Sequence, residues 1–569
     1  MHQNTSKQLY KTSDRNFYLL IIIIVIFGLF LRWHDIGKHQ SQNDEWAAAW
    51  HISEVKNRTF ENYYEAKINE LTFNNSNKKL KNKIAFELKD NQNLLINILK
   101  FNDFLKLSGG STISPMMFYV GYFLISGEEN NYENLISKLK KISIIYYILS
   151  IILFYRLFEK NYFFNNKLSF IFFIIITVFS FENILFSRQF FNYSYSIVIL
   201  PILFLNIYKT GIKKIIVNYF SLLFCILTSY QTFFLLPAYF IAKLYKIYSD
   251  KGKKISLFVE FTLAFLTVFL FYYFFLRGDT QNLGTNWNAG YHNEFIFSHD
   301  KFKNNFIYFF SFFFQNFFIN IGNLTSFFEI NDLFFIISST LFSLLFIFGF
   351  FTLTTSQKIN LNFKIFIIFN FVVFIILIIL GLLSFSPTRH LIFYLPSVAI
   401  VISLGLSRLY VSNTFRIRTL TIFIILVFSI TFFSANQMKY RKSPYNENYL
   451  LKILEKNNIE KIIVDNDGLG PIYFSKKIRE NHEIFMRKHG SNERINIGKN
   501  LSYNLKKNVM IINFNEKIDK NKLLKKYNYL REYNLILDVL IESKFKSELY
   551  QNIGAYKNSF QYLVFKYKN

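Results

Sequence analysis

Two adjacent acidic residues, Asp44 and Glu45, follow the first long apolar run of the chain, in the stretch HQSQNDEWAAAW. A carboxylate that faces a polar chamber beside a membrane can act as a general base, which typically contributes about 10²–10⁴-fold to a rate. Neighbouring side chains do not face one another on a helix or a strand, so the two acids would have different tasks. The alternative is structural: Asn43 or Asp44 would cap a helix over EWAAAWHISEV, where acids are favoured in the first turn.

Two later stretches carry basic residues that could bind an anion. SRQFFNYSYS contains Arg188 and Tyr193, and SPTRHLIFYLP contains Arg389 and His390. A guanidinium can bind a phosphate through two parallel hydrogen bonds. An Arg at the end of a membrane span can equally extend to the lipid headgroups. Both interpretations are open for Arg188 and for Arg389.

Other residues near these stretches have simpler interpretations. Trp46, Trp50 and Trp287 could stack on a sugar, but tryptophan is also common at membrane interfaces. Arg32 and Lys38, near the acid pair, are secondary candidates. The histidines near these stretches lack metal-ligand spacing with a second histidine or an acid, and the single Cys225 lies in an apolar run; these histidines are His34, His39, His51 and His292.

The elements that must position these residues are apolar helices. The chain is 52% hydrophobic and has 73 Phe in 569 residues, and runs such as IFIIFNFVVFIILIILGLL are long enough to cross a hydrocarbon core. No barrel-like alternation occurs, so backbone hydrogen bonding in lipid predicts helices. The first run lacks a small-residue cleavage site, which indicates a retained span rather than a signal peptide. We predict a mainly α, multi-spanning membrane protein.

The net charge of +28 comes largely from short loops between apolar runs. This pattern is typical of cytoplasmic loops and argues against nucleic-acid binding. It predicts a cytoplasmic N-terminus and about eleven spans, with 34–138 as a long first external loop. The predicted spans are 17–33, 142–158, 168–186, 193–208, 214–230, 232–247, 255–276, 333–353, 364–384, 390–408 and 417–434.

Two apolar segments, 113–126 and 306–322, are left out of this count because either one alone would reverse the sidedness of the loops that follow. We interpret both as helices in the outer interface, with aromatic faces at headgroup level. The alternative is that they span the membrane as a pair.

The composition changes after residue 435, where the chain becomes charged and has no spanning run. Strand-like stretches (IEKIIVDND, NVMIINFN, YNLILDVLIES) occur with helix-like ones (NYLLKILEK, DKNKLLKKY). We predict a membrane domain over 1–435 and a small α/β domain over 436–569, outside the cytoplasm. DNDGLG, at 465–470, fits a turn after a strand better than a phosphate loop.

The order of these motifs over about residues 16–435 resembles the polytopic class C glycosyltransferases, near the protein O-mannosyltransferase and lipid A aminoarabinose transferase group. An acid pair follows the first span, ISPMMFYVGYFLISGEE comes next, SRQFFNYS ends a span, and SPTRHLIFYLP opens a late one. The chain departs from the family in several places. Pro115 alone remains of a His-Pro-Pro segment, Gln189 and Phe191 replace a Glu and an Arg, and Arg389-His390 stands where the family has Arg-Tyr.

The resemblance implies transfer of a hexose or pentose from a polyprenyl-phosphate carrier to an acceptor hydroxyl of a glycan, lipid or protein, on the extracytoplasmic face of the bacterial inner membrane. It implies Asp44 as the general base and Glu45 as an orienting acid or a ligand of a sugar hydroxyl. Arg389 would bind the donor phosphate. The remaining candidates for substrate binding are Arg188, Tyr193, His390 and Trp46.

We expect no metal and no cofactor. Oligosaccharide-transferring relatives combine acids of the first loop with an acid in the loop that matches SRQFFNYSYS, and this chain has Asn192 and no carboxylate there. One adjacent acid pair is a poor site for an ion that requires six oxygen ligands.

Two other functions stay open. An O-antigen polymerase or ligase also uses polyprenyl-linked substrates, but its main polar loop would come late in the chain. A transporter or lipid-sugar flippase would place ionisable or Gly/Pro-broken sites at mid-membrane, often in repeated halves. Here most charges lie at span ends, and we find no internal repeat.

Overall fold

The protein is known from a computed structural model. Contacts divide the chain into two compact units. The helical unit comprises Met1–His34, Ser114–Met117 and Lys141–Gln437, and the sheet unit comprises Asp35–Ile113, Phe118–Lys140 and Met438–Asn569. The structure describes residues 2–33, 116, 132–160, 166–180, 183–184, 187, 195–208, 212–250, 254–271, 296–325, 333–385, 389–411, 447–464, 476–487, 494–496, 508–514, 528–542 and 559–568.

The α-helices are, in chain order, α1 His2–Trp33, α2 Tyr132–Lys140, α3 Ile142–Lys160, α4 Asn166–Phe179, α5 Ile199–Tyr208, α6 Ile212–Thr228, α7 Thr232–Ser249, α8 Lys254–Phe271, α9 His299–Asn304, α10 Ile307–Thr325, α11 Leu333–Thr355, α12 Leu361–Ile379, α13 Leu395–Val411, α14 Glu447–Lys456 and α15 Lys476–Asn481. Short 3₁₀ helices lie at Ser196–Val198, Arg389–Tyr394 and Asn528–Glu532.

Helices coincide with every predicted span up to residue 411. Within the described residues, five helices are long and apolar enough to cross a membrane, and the shorter apolar helices include Lys167–Phe179 and Ser196–Tyr208. The predicted span 417–434 and the segment 113–126, apart from Met116, lie outside the described residues, as does almost all of the predicted first loop. The helical class is therefore confirmed, and the number of crossings stays a prediction.

The lipid-facing character of α1 follows from its sequence period. Phe17, Ile24 and Leu31 are buried at a spacing of seven residues, while Ile22 and Ile26 between them are more than half exposed. A helix in lipid gains no hydrophobic advantage from hiding its apolar side chains, so both faces remain apolar and only packing distinguishes them.

Close packing, rather than polarity, joins α11 and α13. Gly349 on α11 and Gly405 on α13 lie against one another, and a Cβ on Gly405 would come within 2.7 Å of the backbone oxygen of Leu345. Arg408, at the end of α13, contacts Thr352 near the end of α11, so the two helices run parallel. Small residues at such crossings allow two backbones to approach closely.

The helix α10 coincides with the apolar segment 306–322 and packs against α11. Gly322 lies against Phe335 and Ser339, and the ring centroids of Phe317 and Phe346 are 4.9 Å apart. The helix is therefore present where the sequence indicated one, and its position in the outer interface stays a prediction.

The C-terminal part of the sheet unit contains a six-stranded sheet. Its strands are β1 Ile459–Val464, β2 Glu483–Arg487, β3 Arg494–Asn496, β4 Asn508–Phe514, β5 Tyr533–Glu542 and β6 Ser559–Tyr567, in the order β3-β2-β1-β4-β6-β5. β1 pairs in parallel with β2 and β4, and the remaining pairs are antiparallel.

Both faces of the central strands are buried because successive residues of a strand point to opposite sides. Ile462 and Val464 pack with Leu454 of α14 on one face, and Ile463 packs with Val509 and Ile511 on the other. The three stretches predicted as strands are β1, β4 and β5, whereas β2, β3 and β6 were not predicted. The predicted helix over DKNKLLKKY lies outside the described residues.

Candidate functional site

The candidate site lies at one end of the helical unit, which we call the site end: the end where α1 and α4 stop and α3, α5 and α13 begin. Contacts between the ends of these helices show in which direction each helix runs. Phe27 and Phe179, near the ends of α1 and α4, are in ring contact, and Tyr18 of α1 bonds Tyr155 at the other end of α3. Ser169 at the start of α4 bonds Ser407 near the end of α13, so these two helices are antiparallel.

Arg32 fixes the end of α1 at the site end. Its side chain is fully buried, and both Nη1 and Nη2 donate to the backbone oxygen of Val178 at 3.1 Å. Nη1 also donates to the Gly28 oxygen at 3.1 Å, and the guanidinium lies 4.0 Å from the ring centroid of Tyr147 on α3. Arg32 therefore joins α1, α3 and α4.

Arg32 also explains how α4 ends. The last carbonyls of a helix have no partner within it, and a cation there interacts favourably with the helix dipole. The backbone nitrogen of Ser180 donates to Ile176, the side-chain amide of Asn183 donates to Thr177, and Arg32 donates to Val178. Each of the three carbonyls has a donor, so the end of α4 is fixed at this point.

The described residues that follow α4 also lie near this end. Ser187 is buried, and its Oγ donates to the Ile184 oxygen at 3.0 Å. Tyr195 is fully buried, and its ring stacks on Tyr146 of α3 at a centroid distance of 4.2 Å. The 3₁₀ helix Ser196–Val198 follows directly.

The 3₁₀ helix Arg389–Tyr394 contacts Ser196–Val198. Its last residues anchor it in the helical unit: Phe393 stacks on Phe234 of α7 at 5.5 Å, and Tyr394 lies 4.3 Å from Phe374 of α12, between ring centroids. Just before it, Asn320 of α10 donates to the backbone oxygen of Phe385 at 2.9 Å. The backbone of Arg389 and His390 is thus held at the site end.

The opposite end of the helical unit is rich in basic residues. Arg156 near the end of α3, Lys167 at the start of α4, Lys364 at the start of α12 and Arg408 near the end of α13 all lie there. Lys364 donates from Nζ to the oxygen of Thr354 at the end of α11. We call this the basic end.

The remaining predicted site residues lie outside the part of the chain that the structure describes. These are Asp44, Glu45, Trp46, Arg188 and Tyr193, and for Arg389 and His390 the described geometry is that of the backbone. What the described residues bring together is the end of α1, the end of α4 and the 3₁₀ helix Arg389–Tyr394.

A buried polar cluster was missed by sequence reasoning, which placed most charges at span ends. Lys243 of α7 and Glu260 of α8 form an ion pair at 2.8 Å, with both side chains almost fully buried. Nζ of Lys243 also donates to the backbone oxygen of Asn206 at 3.0 Å, and the amide of Asn218 donates to Glu260. The available signal was a single charge inside each apolar run, AYFIAKLY and LFVEFTLAF.

Comparison with known proteins gives little further information. No family model matches the chain, and a search of curated proteins finds no significant match. Among solved structures, the chain is similar to ArnT from Cupriavidus metallidurans bound to undecaprenyl phosphate, with 9% sequence identity and a TM-score of 0.43 over 97% of this chain and 98% of that one. A similarity at this TM-score does not establish a shared fold.

Proposed function

We propose that this chain is a membrane glycosyltransferase that moves a sugar from a polyprenyl-phosphate carrier to an acceptor hydroxyl on the extracytoplasmic face. The observation that supports this proposal most directly is that the ends of α1 and α4 and the 3₁₀ helix Arg389–Tyr394 lie together at the site end. The ends of α1 and α4 are joined there through Arg32, and the 3₁₀ helix that begins with Arg389 contacts the segment that follows SRQFFNY. Three described segments that are far apart in sequence therefore lie at one end of the helical unit, and this supports the proposal.

The proposed chemistry divides between a carboxylate and a guanidinium. A lipid phosphate is already a good leaving group and needs little acid assistance. The reaction needs a base for the acceptor hydroxyl, which Asp44 supplies, and Glu45 orients the sugar or the acceptor. It also needs a cation where negative charge develops on the phosphate, which Arg389 supplies, with Arg188, Tyr193, His390 and Trp46 completing the substrate contacts.

The assignment of sides supports this proposal. The basic end carries Arg156, Lys167 and Arg408, which the positive-inside rule places in the cytoplasm. The site end then faces outward, where polyprenyl-linked sugars of this kind are consumed.

The test is transfer by the purified full chain in proteoliposomes. A panel of polyprenyl-phosphate sugars would be supplied as donors, and mass spectrometry of surface glycans from cells with and without the protein would identify the acceptor. We expect release of the polyprenyl phosphate together with a glycosylated product. In the same assay, Arg389→Ala should require a higher donor concentration for the same rate of transfer. Arg389→Lys should recover part of the lost activity, because the ammonium group keeps the positive charge but cannot bind the phosphate through two parallel hydrogen bonds as the guanidinium does. Absence of transfer with every donor class would contradict the proposal.

A second function, transport of a polar or lipid-linked solute, is favoured by the buried Lys243–Glu260 pair. Ionisable residues inside membrane helices often mark a solute pathway. Transport predicts that Glu260→Gln abolishes solute movement across proteoliposomes. Glycosyl transfer predicts that a folded Glu260→Gln protein retains turnover, because the pair lies toward the basic end, away from the site end.

A further inference from the structure

A groove on the helical unit faces the surrounding lipid between α3, α5 and α6. It encloses about 460 Å³, and its walls include Leu149 and Leu153 of α3, Ile202 of α5, and Phe220 and Phe224 of α6. Ile216 and Phe220 at its rim are 63% and 60% exposed. From Ile216 to Phe224 the groove follows eight residues of α6, which is about 12 Å. An apolar groove of this length accommodates a hydrocarbon chain.

Two polar side chains, Asn206 and Ser221, line this otherwise apolar groove, and Ser221 donates to the backbone oxygen of Val217. Asn206 of α5 is fully buried and lines the groove, and among the described residues neither Nδ2 nor Oδ1 of its amide has a hydrogen-bond partner. An amide buried without a partner costs about 1–3 kcal/mol, so it is expected to meet a polar atom in the membrane.

The neighbouring polar groups do not form hydrogen bonds with the side-chain amide of Asn206. Lys243 bonds the backbone oxygen of Asn206 at 3.0 Å and not its side chain, and it turns its charge toward Glu260 at 2.8 Å. The amide of Asn218 is likewise directed at Glu260. The ion pair thus holds the backbone of α5 in place and does not provide a partner for the Asn206 amide.

We infer that the groove binds a glycerophospholipid with an anionic headgroup. One acyl chain would lie along α6, and an ester carbonyl would accept a hydrogen bond from Nδ2 of Asn206. A polyprenyl chain fits less well, because its polar atoms are all in the terminal phosphate and none lies along the hydrocarbon. The groove is also at the basic end, where Lys213 and Lys214 occupy the first turn of α6, next to Ile216. Two cations at that position favour an anionic headgroup.

This site is separate from the proposed active site. Asn206 lies near the end of α5 at the basic end, whereas Arg32 and the 3₁₀ helix Arg389–Tyr394 lie at the site end. The inference therefore does not depend on the proposed function, and its test needs no glycosyl transfer.

The experiment uses the full chain in phosphatidylcholine vesicles. Either a diazirine-bearing phosphatidylglycerol or a diazirine-bearing polyprenyl phosphate is added, and the labelled peptides are mapped after illumination. We expect phosphatidylglycerol to label 216–224 in wild type. Asn206→Leu keeps the volume and removes the hydrogen bond, and labelling should fall about fivefold.

Two further variants keep the result interpretable. Ser221→Phe fills the groove from α6 and should lower labelling even if Asn206→Leu fails to fold. Asn370→Leu removes a buried amide of α12, also without a described partner but away from the groove, and should label like wild type. Unchanged labelling in both Asn206→Leu and Ser221→Phe, or preferential labelling by the polyprenyl phosphate, would overturn the inference.

Discussion

At the scale of single side chains, Arg32 shows how the site end is built. From the sequence it was a secondary candidate for substrate binding because it lies close to Asp44. Its burial, together with its bonds to Val178 and Gly28, makes it a positioning residue that joins three helices. Sequence reasoning could not reach this role, because the partners of Arg32 are backbone carbonyls and carry no sequence signal.

We expect Arg32→Met to destabilise the helical unit. The change keeps the apolar length of the side chain but removes the donors to Val178, and hydrogen bonds to charged groups contribute about 1.5–3 kcal/mol each. Thermal unfolding of the purified protein in detergent would show a lower midpoint. The matched control is Arg156→Met on α3, because Arg156 is exposed and its pair with Glu159 should be worth about 0–1 kcal/mol. Equal thermal unfolding midpoints for Arg32→Met and Arg156→Met would show that Arg32 does not stabilise the helical unit.

At the scale of helices, the crossing of α11 and α13 can be tested because two glycines, Gly349 and Gly405, lie against one another there. We expect Gly349→Ala to destabilise the protein by about 1–3 kcal/mol, because the added methyl group meets the backbone oxygen of Val401, which cannot rotate away. Size-exclusion profiles and thermal midpoints in detergent would measure the loss. Leu344→Ala on the same helix is the control, since Leu344 is 60% exposed to lipid. A Gly349→Ala protein as stable as wild type would mean that the crossing is looser than described.

His482, which immediately precedes β2, makes the stability of the sheet depend on pH. Its Nδ1 lies 2.8 Å from the backbone oxygen of Ile459, and because a carbonyl only accepts, Nδ1 carries the proton of the neutral ring. Burial lowers the pKa of His482 below its ordinary value of 6.5, against the smaller opposing effects of that bond and of Glu455 and Glu460. The folded state therefore binds fewer protons than the unfolded state just below pH 6.5.

Acidification should accordingly weaken the sheet. The stability that comes from His482 is fully present above pH 6.5 and is lost as the pH falls toward the lowered pKa of the folded state. Amide hydrogen exchange of β1 in the full chain, corrected for intrinsic rates, should accelerate between about pH 7.5 and about pH 5.5. His482→Asn keeps a donor for Ile459 but does not titrate, so its exchange should depend less on pH. The same acceleration in both proteins would remove His482 as the cause.

The sequence predicted those elements whose pattern is long and regular. Apolar runs predicted α1 and α11, and the strand-like stretch IEKIIVDND predicted β1. β2, with the sequence EIFMR, was missed because it is short and has a charge at each end, so its place in the sheet depends on pairing with β1. Lys243 and Glu260 each read as a charge within an apolar run, and only the packing of α7 on α8 turns them into a pair.

At the scale of the whole chain, the proposed function requires the site end of the helical unit to face the outside of the cell. We expect a cysteine engineered within 450–560 to react with an impermeant thiol reagent on intact cells, and one within 246–254 to react only after permeabilisation. The native Cys225 is buried and should give a low background. Labelling of the second segment but not of the first, on intact cells, would invert the topology and place the site end in the cytoplasm.

We propose Asp44 as the general base of the glycosyl transfer. Asp44→Asn keeps the size of the side chain, and Asn caps a helix about as well as Asp, so expression and thermal midpoint should barely change. Glu45→Gln should also lower turnover, but by less. Added Mn²⁺ or Mg²⁺ should not rescue either variant, because the account assigns no metal.

The measurement is the single-turnover rate of sugar transfer by purified Asp44→Asn protein with saturating donor, beside wild type of equal thermal midpoint. Loss of the base predicts a rate lower by about two to four orders of magnitude. A folded Asp44→Asn protein that transfers the sugar at nearly the wild-type rate would contradict the account and leave the acid pair as a helix cap.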